Sequence, residues 1–135
     1  LAGMKAVADA TVNRVLLARS GEVTWWGRTL HEVCLWRHQF SPFWSDYDLR
    51  REALSAGAYR RTDHPRYGRA VGDADRAARA ALARLNGEPD AEGDRSFKAD
   101  HFYAPKGVAQ PPKWASVYPK TCIVGGHHFH TSRFG

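Results

Sequence analysis

A chain of 135 residues, 43% of them apolar, is the size of one domain and long enough to bury its own core. Twenty lysines and arginines against fourteen acidic residues give a formal charge of +6, with seven histidines beside it, which suits a polyanionic partner. The arginines are dispersed rather than gathered in a block, which speaks against nucleic acid, and no run of about 18 apolar residues exists to span a membrane.

Leu1 is not an initiator, and Ala2-Gly3-Met4-Lys5 enters a helical pattern without a cap, so the start reads as a cut or processed end with no visible signal peptide. Met4, Val7, Ala8, Thr11 and Val15 recur at helical spacing, predicting a first helix that ends near Leu17 and closes at Ser20-Gly21. Asp9 falls on its polar side. A loop from Gly21 to Arg28 carries Trp25-Trp26, and Leu30, Val33 and Cys34 suggest a short second helix. Arg37 to Phe43 is aromatic and irregular, with Pro42 stopping any helix there. Ser45 or Asp46 caps a third predicted helix lined by Leu49, Ala53 and Ala56 and ended by Gly57. Residues 58–72, rich in Arg, Gly and Pro, read as a loop. The strongest helical signal runs from Ala74 to Leu85, capped by Asp73, with an apolar stripe of Ala74, Ala77, Ala78, Ala81, Leu82 and Leu85, and Asn86-Gly87 as its stop. Beyond an acidic loop, Glu88 to Asp94, come strand-like pieces at Asp100 to Tyr103 and Thr121 to Val124. Gly125-Gly126 then turns into a returning strand, His127 to Thr131. Pro105 to Trp114 is a proline-rich excursion between them. Helices followed by a small antiparallel sheet make an α+β domain.

Four groups of residues bear on chemistry. On a strand, His128 and His130 share one face, and His127 and Phe129 the other, so a metal would need help from His101 or His38. Cys34 and Cys122 either form one long-range disulfide or stay as small packing residues, and neither sits where a thiolate nucleophile would. Glycoside cleavage needs a carboxylic acid held protonated, and none of Asp9, Glu22, Glu32, Glu52, Glu88, Glu92 or Asp94 has apolar walls to do that. Trp25, Trp26, Trp36, Phe40, Phe43, Trp44, Tyr103 and Trp114 lie outside the helix stripes, divided between core and cleft. There, sugar rings stack on aromatic rings with Gln39, Asn13 and His101 at the edges.

Five segments, in order, resemble the cell wall hydrolase family typified by the spore cortex-lytic enzyme SleB. Ala6 to Val15, ending Asn13-Arg14-Val15, resembles its first-helix motif, and His38-Gln39-Phe40-Ser41 its Gln-Phe-Ser motif. Asp100 to Pro105 is similar to its His-Phe-Tyr segment, and Pro112 to Ala115 to its Pro-x-Trp-Ala. Ile123 to His130 resembles its closing hairpin, with His130 where Tyr is usual.

The resemblance implies a helical lysozyme-like or resuscitation-factor-like α+β domain over residues 1–135, with the small sheet in its C-terminal part. It implies cleavage of peptidoglycan glycan strands between N-acetylmuramic acid and N-acetylglucosamine, of lytic transglycosylase or muramidase type, without metal or organic cofactor. One Glu would act as the acid, in a Gly-Glu-Ala-Arg-Gly-Glu type segment expected just before Gly3, upstream of Leu1. The expected substrate-binding residues are Gln39, Phe40, Ser41, His101, Tyr103, Trp114, His127 and Phe129, while Asn13 and Arg14 anchor the helix. The expected place of work is the cell wall, periplasm or exterior, or a phage particle. Two other readings compete: a peptidoglycan-binding or structural module without the acid, and a metal-dependent hydrolase of wall peptides built on the C-terminal histidines.

Overall fold

A computed structural model describes residues 2–35 and 68–133. The first helix, α1, spans Ala2–Arg19, and the short α2 spans Leu30–Leu35. The long α3, Gly68–Ala83, tightens into a 3-10 turn at Arg84–Asn86. Three strands follow: β1 at His101–Tyr103, β2 at Lys120–Val124 and β3 at His127–His130. They form an antiparallel sheet in the order β1-β3-β2. The class is α+β, with the sheet in the C-terminal part, as the sequence predicts.

The apolar periodicity predicts a solvated Asp9 and a buried Met4, but the structure has them the other way round: Asp9 is 0% exposed and Met4 37%. The reason is that α1 touches α2, α3, β1 and β2, so no broad side of it is left for water. Its first half meets the sheet through Ala6 and Ala10, which with Ala99 and Phe129 form one apolar cluster flanked by Val7, Phe102, Cys122 and Val124. Complete burial of the Phe129 ring there contributes about 2–3 kcal/mol. Its second half supplies Val15 to a cluster with Trp26 and Val33, flanked by Leu17, Val23, Leu30 and Leu85.

The polar residues of α1 are therefore buried and must find partners inside. The Lys5 ammonium lies 2.8 Å from both Asp9 oxygens, 2.7 Å from Asp90 Oδ2 and 2.9 Å from the Gly93 carbonyl. Asp9 also accepts from Arg84 Nη2 at 3.0 Å and from the Arg95 N–H at 2.8 Å. The Asn13 amide donates to Asp94 Oδ2 at 2.9 Å and to the Ala99 carbonyl at 2.8 Å. One loop, from Glu88 to Asp100, is thus wrapped along the polar side of α1.

The chain before α3 differs from expectation. Residues 68–72, predicted as loop, are already helical, so Asp73 lies within α3 and pairs with Arg76 instead of capping the helix. Gly72 costs a helix interior about 1 kcal/mol, and packing along α1 and the Asp75–Arg79 pair at 2.8 Å offset it. Of the predicted stripe, Ala77 and Ala81 are buried, Ala78, Leu82 and Leu85 half-buried, and Ala74 exposed. The predicted stop holds, with Gly87 left-handed at φ 72°. At the start of α2, Thr29 Oγ1 accepts the Glu32 N–H at 3.1 Å while the Glu32 carboxylate accepts the Arg28 N–H at 2.7 Å, a variant of the capping box. The predicted helix from Ser45 or Asp46 to Gly57 lies outside the described residues.

Gly125 and Gly126 join β2 to β3 with φ of 57° and 80°, a two-residue turn of the type that matches strand twist. Gly125 also meets α1 head-on: a Cβ there would lie 2.7 Å from Gly3 Cα.

Two outcomes are expected in urea titrations. Asp9→Ala, which leaves Lys5 with Asp90 as its one carboxylate and deprives Arg84 and the Arg95 N–H of their buried acceptor, lowers stability by about 3 kcal/mol, and a loss below about 1 kcal/mol would show the network to be dispensable. Gly125→Ala combines a left-handed φ with the clash at Gly3 and costs roughly 1–3 kcal/mol, whereas an unchanged midpoint would mean that the two backbones can part freely.

Candidate functional site

The sheet register sorts side chains onto two faces. His101 pairs with His130, Phe102 with Phe129 and Tyr103 with His128, and directly paired residues project to the same side. Phe102 and Phe129 therefore face α1, and His101, Tyr103, His128 and His130 face away. This second face is covered by aromatic rings rather than aliphatic ones. Trp114 and Tyr118, at and just after the 3-10 turn Lys113–Ser116, approach His101 edge-on, each with its ring centroid at 4.9 Å. Trp26 and Trp25, from the loop after α1, stand at 6.0 and 6.2 Å. Trp114 also reaches His130 at 5.2 Å and Tyr103 at 5.7 Å.

Beside β1, an edge strand of the sheet, opens a cleft of about 400 Å³. Arg14, His101, Tyr103, Val108, Trp114 and His127 are among its lining. The proline-rich excursion forms one wall, with Pro112 and Gly107 beside Val108. That segment has no sheet partner to satisfy; Pro105 opens a short 3-10 turn, and the chain then returns along the cleft to deliver Trp114.

Polar groups behind the cleft are tightly held. Asp100 is completely buried and accepts the His101 Nδ1–H at 2.8 Å, the Ser132 N–H at 2.8 Å and the Ser132 hydroxyl at 2.6 Å. Burial pushes Asp100 up, but these hydrogen bonds outweigh it and hold the carboxyl below its ordinary value. Burial pushes His101 down, and Arg14 and His130 add to this; the Asp100 contact opposes it without restoring the ordinary value. Burial draws Arg14 down to about 10 against the pull of Asp100 and Cys34, which leaves it cationic at neutral pH. Its guanidinium lies over the Trp26 ring at 5.0 Å, and its Nε donates to the Asp100 carbonyl. His130 donates from Nδ1 to the Tyr118 carbonyl at 2.7 Å, which leaves a buried Nε2 with no partner.

Of the predicted binding residues, the structure brings His101, Tyr103, Trp114 and His127 together at this cleft. Phe129 is not there: it is 0% exposed, sealed in the apolar cluster against α1, because its strand position points it inward. Gln39, Phe40 and Ser41 lie outside the described residues, as do His38, Trp36, Phe43, Trp44 and Glu52. Asn13 anchors α1 as predicted; Arg14 anchors it too, but also lines the cleft. Asp100 escaped sequence reasoning. Its only local signal is a carboxylate one residue ahead of a strand histidine.

Among the described residues no carboxyl group lines the cleft. Glu22 pairs with Arg133 at 3.0 Å, Glu32 serves the α2 cap, and Asp94 is spent on Ser96, Asn13 and the Lys98 N–H. His128 and His130 do share a face, but among the described residues no three His, Cys, Asp or Glu side chains are placed to hold a metal ion. Cys34 and Cys122 are unpaired, and burial pushes both thiols up, so neither is a ready thiolate.

The family model described as Cell Wall Hydrolase matches residues 1–130. No curated protein and no solved structure matches the chain.

The buried groups set a pH dependence of stability. A group whose folded value lies below its unfolded one binds fewer protons when folded, so its contribution is complete above the unfolded value and declines as pH falls. For His101 that decline begins below 6.5; for Asp90, Asp94 and Asp100 it begins below 3.8 and runs through their lower folded values. Urea midpoints are expected to be level just above neutrality, below the range where the thiols and Arg14 titrate, to fall modestly in mild acid and then steeply. A midpoint that rises on acidification would contradict this.

Proposed function

The chain belongs to the cell wall hydrolase family, and on that premise we propose that it cleaves peptidoglycan glycan strands between N-acetylmuramic acid and N-acetylglucosamine. The family puts its substrate, peptidoglycan, and its place of work at the wall. No helix among the described residues is long and apolar enough to cross a membrane. The observation that carries the finer reading is the aromatic cleft: Trp114 and Tyr103 offer ring faces and edges to pyranose rings, and His101 and His127 offer hydrogen bonds at their rims.

The chemistry needs one carboxylic acid to protonate the glycosidic oxygen as the bond to the anomeric carbon breaks. Closure of the muramic acid 6-hydroxyl onto that carbon makes the reaction a lytic transglycosylation, and attack by water makes it a muramidase reaction. The acid expected just ahead of Gly3 suits this site. Gly3 packs against Gly125, two residues from His127 on the cleft wall, which supports an acid supplied from the chain ahead of α1. The lack of a carboxyl group on the described cleft wall favours a second reading, a module that holds peptidoglycan without cutting it.

Purified sacculi incubated with the complete natural protein separate the two. Release of muropeptides is expected, with anhydromuramic ends marking transglycosylation and reducing ends hydrolysis. Binding to sacculi with no release would establish the holding module instead. Trp114→Ala should lower kcat/KM about tenfold, or roughly 1.4 kcal/mol of transition-state stabilisation, and Gln39→Ala should cut activity with little loss of stability. An unchanged rate in Trp114→Ala would remove this cleft as the site, and an unchanged rate in Gln39→Ala would remove Gln39 as a substrate contact.

A further inference from the structure

Asp100 belongs to neither the apolar core nor the cleft wall, yet its carboxylate is fully buried and both of its oxygens are engaged. Pinning the chain after β3 requires only the two bonds from Ser132. The third bond, to His101, does something further: it decides which ring nitrogen carries the proton. A neutral imidazole has one donor and one acceptor nitrogen. With Nδ1 aimed at a carboxylate at 2.8 Å, the proton stays on Nδ1 and the lone pair is on Nε2.

The surroundings of the ring agree with a neutral form. Trp25, Trp26, Trp114 and Tyr118 wall it with aromatic surface. Among the described residues, the titratable and charged groups facing it are Arg14 from α1, His130 from β3, Tyr118 from the segment after the 3-10 turn, and Asp100 itself. Arg14 and His130 disfavour an imidazolium, and Asp100 favours one. His101 is only 3% exposed, and it is among the residues that line the cleft, so what its ring presents there is confined to a small patch.

We propose that Asp100 is a positioning residue that locks His101 in the Nδ1–H tautomer, so that the cleft offers a fixed acceptor at Nε2 and selects a hydroxyl donor, a sugar hydroxyl or the hydroxyl that attacks the glycan. The identity of that hydroxyl rests on the glycan-cleaving reading; the tautomer does not. Protonation turns the acceptor into a donor, so binding through it is lost in acid.

The test uses the complete protein and two readouts. In a long-range 1H–15N spectrum at neutral pH, His101 should be neutral with its proton on Nδ1. A proton on Nε2, or a charged ring, overturns the proposal whatever the activity. In the pH profile of kcat/KM for muropeptide release, the acid limb should coincide with the His101 titration, below 6.5. Asp100→Asn removes the partner that favours the imidazolium, so both the titration and the limb should move to lower pH, with kcat/KM falling about tenfold. Ser132→Ala, which loosens Asp100 but spares its bond to His101, should lower stability and leave the limb in place. A limb that stays put in Asp100→Asn, or moves equally in Ser132→Ala, reduces Asp100 to a structural role and overturns the proposal. If no muropeptides are released, the glycan-cleaving reading fails separately, and the pH dependence of binding to sacculi then takes the place of the rate. Binding indifferent to the His101 titration overturns the proposal in that case.

Discussion

Enclosure of α1 is the constraint from which the remaining structure follows. A helix covered by α2, α3 and the sheet cannot leave Lys5, Asp9, Asn13 or Arg14 to water, and an unsatisfied buried polar group is costly. Each therefore dictates the course of some distant segment. Asp9 and Asn13 draw in Arg84 at the end of α3 and the loop that leads to β1. Arg14 holds the Asp100 carbonyl, and its own carbonyl receives the Trp26 indole N–H at 2.9 Å. The start of the sheet and the tryptophan loop are thus both set against one turn of one helix.

The two faces of the sheet carry different kinds of side chain. The face toward α1 uses Phe102, Phe129, Cys122 and Val124, and the approach is close because α1 presents alanines there. The other face carries a histidine–tyrosine lattice roofed by rings from two separate loops. Edge-on ring contacts allow polar nitrogens to sit within an otherwise apolar wall: His101 has its Nδ1 tied to the Asp100 carboxylate and His130 to the Tyr118 carbonyl, while His128 Nδ1 lies 3.5 Å from the Tyr103 hydroxyl. The cleft is then a surface whose hydrogen-bonding pattern is fixed before any ligand arrives, which lowers the ordering cost of binding.

Much of this was legible from residues alone. Asn86-Gly87 marks the end of α3 and Gly125-Gly126 the hairpin, because both depend on local backbone conformations that glycine reaches easily. Tyr103 and Trp114, with His101 at their edges, emerge as cleft residues because clustering of rings outside helix stripes is a local pattern; His127 comes from the motifs of the resemblance, since alternation puts it on the side of Phe129. What was hidden is non-local. The burial of Asp9 depends on Arg95 and Arg84, more than seventy positions away, and no periodicity announces that. The helical start of α3 at Gly68 runs against the glycine and arginine content of residues 68–72, and no periodicity announces it. Phe129 reads as a motif residue, but alternation had already assigned it to the face opposite His128 and His130, and that face turned out to be the core. The pairing of Asp100 with His101 requires Ser132 to hold the carboxylate, a contact made only once the third strand is in place.

The ammonium of Lys5 sits where loops of other proteins place a hard metal ion, among carboxylate and carbonyl oxygens. It has three hydrogens for four oxygens, so the two from Asp9 share. Because this cation is carried on a side chain, its local concentration never varies. The loop from Asp90 to Gly93 is closed by a counterion that no chelator can strip and no dilution can release. A protein that works at the cell wall, where free calcium and magnesium fluctuate with the medium, keeps this loop shut independently of them.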